Sequence, residues 1–69
     1  MDVEEIRKRI DHIDEIAYMA ETAHKEADQL YRDVLQAIAQ GASNPSELAQ
    51  AALKAEHLGL DKYYSLPHD

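Results

Sequence analysis

An all-α fold is predicted by three features of this sequence: forty residues without a glycine or proline, apolar residues recurring every three or four positions through them, and a second helix-start signal at "SNPSEL". The expected architecture is a helical hairpin. One long heptad-patterned helix (about 3-40) precedes a short second helix (about 45-58), and the pair assembles into an oligomeric helical bundle.

The first helix is bounded at both ends by residues with a stated role. Asp2 is a good N-cap with Glu5 three residues later, and Gly41 stands where a left-handed residue ends a helix. At 1.5 Å per residue, Val3 to Gln40 spans about 57 Å, which is long for a chain of this size. Val3, Ile6, Ile10, Ile13, Ala17, Ala20, His24, Ala27, Tyr31, Val34 and Ile38 follow a 3-4 alternation without a slip, with Ile16, Ala23, Leu30 and Ala37 beside it. The opposite face carries i,i+4 ion pairs such as Glu21 with Lys25, each contributing ~0.2–0.5 kcal/mol. A break near Thr22, giving a three-helix monomer, is the alternative, although no glycine or proline marks one.

For the second helix, Asn44 is the N-cap, Pro45 occupies the first helical position and Glu47 the third. The helix is expected to stop at Gly59, with Leu60 packing back on its last turn. Its stripe of Leu48, Ala51, Ala52, Ala55 and Leu58, folded back over a short "GASN" connection, covers roughly Ala27 to Ile38. The whole is expected to be one small domain, 1-69, with residues 60-69 a loosely ordered tail whose Tyr63 and Tyr64 fold onto the bundle.

Nothing in such a hairpin covers Val3, Ile6, Ile10, Ile13 and Ala17. Leaving three isoleucines in water forfeits roughly 1.5–3 kcal/mol each, so this stripe is expected to bury against a second copy. The predicted interface is Val3, Ile6, Ile10, Ile13, Ala17, Ala20 and His24, and the predicted state a homodimer or small homo-oligomer, with a further protein partner as an option. Size points the same way. A chain of 69 residues without cysteine has no disulfide to stabilise a marginal core and often gains burial by oligomerising.

Fourteen acidic residues against seven basic ones disfavour direct nucleic-acid binding, because phosphate backbones are repelled. The charged N-terminus "MDVEEIRKRID" lacks an apolar leader region and no run is long enough to span a bilayer, so a cytoplasmic location, with no membrane contact, is expected.

Among polar residues, Glu21 and His24 form a Glu-x-x-His spacing that helical di-metal carboxylate sites use for ligands, and a two-fold dimer brings two such pairs together. A ferritin-like metal site using Glu21 and His24 is therefore the alternative function; otherwise no cofactor is expected. The competing interpretation of His24 is a hydrogen-bonding residue at a helix interface. His12, His57 and His68 read as solvated surface. Tyr18 and Tyr31 read as interface residues with their hydroxyls at an edge. No phosphate loop, cysteine nucleophile or nucleophile elbow is present, so no catalytic residue is assigned and an enzyme is not expected.

The stretch "EIRKRIDHID", Glu5 to Asp14, resembles the opening of the first helix of the all-helical chorismate mutases, and "AEHLGLDKYY", Ala55 to Tyr64, is similar to a later stretch of that family. The resemblance implies a helical dimer with paired long first helices, and it matches Arg7 to the family's first substrate-binding arginine. The next arginine position falls near His24, the lysine position near Leu35, and a third helix is missing. A degenerate dimer of that kind is the third function considered. The leading expectation is a small acidic protein, regulatory or accessory and non-enzymatic, acting through protein–protein contact.

Overall fold

The computed structural model describes residues 1–58, with side chains to residue 56, and these residues form three α-helices and a closing 3₁₀ turn. Helix α1 is Val3–Glu15, α2 is Ala20–Ala39 and α3 is Pro45–Leu53, followed by the 3₁₀ segment Lys54–Leu58. Each helix packs on the other two. No described helix is long and apolar enough to cross a membrane. The expected stop at Gly59, the Leu60 contact, the 60-69 tail with Tyr63, Tyr64 and His68, and the side chains of His57 and Leu58 lie outside the described residues.

The single long helix over 3-40 is not formed. The chain leaves the helix after Glu15 and re-enters it at Ala20, so the molecule's longest dimension is 37 Å rather than the length of a continuous rod. The turn is held by short-range bonds: the Ala17 N–H donates to the Asp14 carbonyl at 3.2 Å and the Met19 N–H to the Ile16 carbonyl at 2.8 Å. Breaking the helix loses a few i→i−4 bonds, each with a net value of about 1 kcal/mol. It lets α1 fold against α2 and α3, and Ile6 and Ile13 become fully buried, a gain of roughly 1.5–3 kcal/mol each. Burial outweighs helix continuity.

The core of the described residues is Ile6 and Ile13 from α1, Ala23, Ala27, Leu30 and Val34 from α2, Leu48, Ala51 and Ala52 from α3, and Ala55. Val3, Ile10 and Ala17 pack against it, partly buried. Of the stripe expected at an intermolecular interface, Ile6 and Ile13 are covered by the chain itself, while Val3, Ile10, Ala17, Ala20 and His24 are covered only in part. The reason is the turn at 16–19, which supplies a third helix where the hairpin had two. On α2 the buried line runs through Ala23 and Leu30, while His24, Tyr31 and Ile38, one position on, are only half-buried.

The helix boundaries follow from local chemistry. The Glu5 N–H donates to the Asp2 carboxylate at 2.8 Å, filling one of the unpaired donors of the first turn of α1. Helix α2 ends in a Schellman motif. The Ala42 N–H donates to the Ala37 carbonyl and the Gly41 N–H to the Ile38 carbonyl, with Gly41 at φ 94°. Asn44 precedes Pro45 as expected, but its side chain makes no capping bond. Helix α1 is tied to α2 by Arg9, whose guanidinium donates to the Asp33 carboxylate at 2.8 Å.

Candidate functional site: an apolar groove between α2 and α3

Helices α2 and α3 bury their facing edges against α1 and leave their other edges apart, and the space between those edges is an open groove of about 330 Å³. Helix α2 contributes Tyr31, Val34, Leu35 and Ile38, α3 contributes Ala49, Ala52 and Leu53, and Glu56 stands at the end. The spacing explains the lining. Residues 31, 35 and 38 share one stripe of α2 beside the core residue Val34, and on α3 residues 49 and 53 flank the core residue Ala52. The alanines on the α3 side set the groove's depth, because a methyl group fills little of the space between two helices.

Two leucines project at its borders. Leu35 is 66% exposed and Leu53 52%, whereas the core leucines Leu30 and Leu48 are fully buried. Single exposed apolar residues are ordinary on protein surfaces, but two leucines flanking a concave apolar strip form a contiguous patch. Asp28 and Arg32, of opposite sign, lie one helical turn before Tyr31 and Leu35.

The residues expected to do chemistry are placed differently. Glu21 is solvated, its carboxylate 3.6 Å from the Lys25 ammonium. His24 is half-buried, with Nε2 inside the fold. Among the described residues no group of three or more His, Asp or Glu side chains is placed to hold a metal ion, so Glu21 and His24 would supply only part of a ligand set. Arg7 points to solvent, 4.0 Å from Glu4, and Leu35, where the mutase resemblance needs a lysine, belongs to the apolar groove. No polar or charged residue is buried among the described residues. Tyr18, expected at an interface, is 78% exposed in the turn between α1 and α2, while Tyr31 lies in the groove wall.

The Arg9–Asp33 pair was not among the interactions expected from spacing, since its partners are 24 positions apart. Asp33 also accepts from the Gln29 amide at 2.8 Å. The hydrogen bond from Arg9, followed by that from Gln29, holds the Asp33 carboxyl below its ordinary value of 3.8. Both members are roughly a third exposed, so the pair is a clamp between helices.

No protein-family profile matches the chain, and no curated protein or solved structure does.

Proposed function

We propose that this chain is a non-enzymatic protein-interaction domain that works through the α2–α3 groove, and that its partner there is a second copy of itself. The observation that carries the proposal is the exposure of Leu35 and Leu53 on either side of an apolar strip. A projecting leucine and a groove on the same face are self-complementary. A two-fold axis sets the Leu35 of each copy into the groove of the other.

Area and core composition support the same occupant. A stable interface needs about 800 Å² per partner, roughly a sixth of the 5028 Å² surface. The core is thin, because among the described residues five of the ten buried ones are alanines, and a small domain with such a core gains from further apolar burial. Asp28 and Arg32 beside this face carry opposite charges and offset each other, which leaves Glu56 as the charge in the groove lining. A regulatory or accessory role fits a domain of this kind.

Sedimentation equilibrium over tens to hundreds of micromolar tests the proposal. Wild type is expected to self-associate reversibly, and Leu35→Glu and Leu53→Glu to be monomeric with unchanged helicity. A wild-type chain that stays monomeric across that range, or glutamate variants that associate as wild type does, would refute it.

A further inference from the structure

We infer that the turn at 16–19 is a hinge through which two copies of this chain exchange α1, each copy's α1 taking the place of the other's against α2 and α3. The inference is separate from the groove, which α1 does not line.

The geometry of the turn is the first argument. Two i→i−3 bonds, Ala17 to Asp14 and Met19 to Ile16, keep the segment close to a helix, and the Met19 carbonyl already accepts a bond from the Ala23 N–H at 2.9 Å. Ile16 lies at φ −99°, ψ 13° and Met19 at φ −97°, ψ 75°. The Met19 ψ is thus roughly 120° from the helical value of about −42°. The segment holds no glycine, proline or positive φ to oppose straightening. Tyr18 is 78% exposed and Met19 40%, so neither gives up much burial when the turn opens.

Register is the second. Ile13, Ala17, Ala20 and His24 keep the 4-3-4 spacing across the turn, so a straightened helix carries the apolar residues of both parts on one side. In that form α1 points away from its own α3, which leaves Ile6 and Ile13 in water and the place of α1 vacant. A second copy in the same state fills both, about a two-fold axis beside the turn.

Conservation of contacts is the third. Exchange rebuilds the burial of Ile6 and Ile13 and the 2.8 Å bond from Arg9 to Asp33 between copies instead of within one. The balance then rests on the hinge and on concentration. Because α1 must first leave the core, exchange is about as slow as unfolding. Chains kept folded therefore stay unexchanged while groove association comes and goes.

The test mixes two charge-reversed chains, Arg9→Asp and Asp33→Arg, both also carrying Leu35→Glu so that the groove does not contribute. Each kind alone sets like charges between α1 and α2, exchanged or not. Only an exchanged pair of the two kinds restores opposite charges at both places. After the mixture is unfolded in urea and refolded at high protein concentration, sedimentation should show a one-to-one dimer that survives dilution for hours, with the separate chains monomeric. A mixture that stays monomeric, or a dimer that dissociates at once on dilution, would overturn the inference. Should a charge-reversed chain fail to fold, the hinge decides in the Leu35→Glu chain. There Tyr18→Ala with Met19→Ala must strengthen the refolded dimer about tenfold, and Tyr18→Gly with Met19→Gly must weaken it at least as much, because the change in helix propensity counts at two hinges per dimer. Equal dissociation constants, or no dimer from any of these chains, contradict the exchange. The groove is judged apart from this, by wild type against Leu35→Glu without refolding.

Discussion

The face of α1 and the groove between α2 and α3 carry apolar stripes of similar spacing, yet one is closed and the other open. Ile6 and Ile13 are buried among residues from all three helices. Leu35 and Leu53 are more than half exposed. What separates them is the number of neighbours the chain can bring, because three helices around one core leave each helix with a second flank, and a flank is covered only if another element reaches it. An apolar residue therefore reports that a face wants burial; the topology decides whether the chain provides it.

Substitutions sharpen this contrast, and the largest effect is expected in the closed region. Ile13→Ala should cost about 2–5 kcal/mol. Total stability for a domain of this length is roughly 3–10 kcal/mol, so urea unfolding followed by circular dichroism should show a chain close to or past its limit. In the open region, Leu35→Glu should change the unfolding free energy by less than about 0.5 kcal/mol at concentrations too low for self-association. Equal effects at the two positions would break the comparison.

At the ends of the helices the effects are smaller. Asp2→Ala removes the acceptor of the Glu5 N–H and should cost about 1 kcal/mol. Gly41→Ala meets no steric obstacle, since nothing lies within 4 Å of the added carbon, and its cost of about 1 kcal/mol comes from the left-handed backbone alone. Calorimetry on both variants measures the cost of these local features apart from either apolar face.

The smallest effect is electrostatic and concerns the clamp between α1 and α2. Because the Asp33 carboxyl is held below 3.8 by Arg9 and Gln29, its contribution to stability is complete above the unfolded value and disappears as pH falls through the folded one. A carboxyl titration by nuclear magnetic resonance should show Asp33 moving back toward its ordinary value in Arg9→Gln. A titration curve unchanged by that substitution would contradict the assignment.

The legible parts of the fold were those where a particular residue type is required. The Asp2 cap, the left-handed Gly41 and the start at Pro45 each demand specific chemistry, so they stand out in the sequence. The turn at 16–19 does not. It uses only negative φ, as every non-glycine residue described here does, so any L-residue can form it and neither glycine nor proline announces it. With no turn expected there, the predicted interface runs through Val3, Ile6, Ile10, Ile13, Ala17, Ala20 and His24, and the groove stays hidden, because Tyr31, Val34 and Ile38 stand out only as a stripe facing the second helix. Arg9–Asp33 was illegible for the same reason, since it exists only after α1 folds back onto α2.

The most direct test of the division between closed and open faces is the change in methyl resonances as the wild-type chain is concentrated. The account predicts concentration-dependent shifts at Val34, Leu35, Ile38, Ala49, Ala52 and Leu53, and none at Ile6, Ile10 and Ile13. Shifts centred on the three isoleucines of α1, with the groove methyls unmoved, would contradict it.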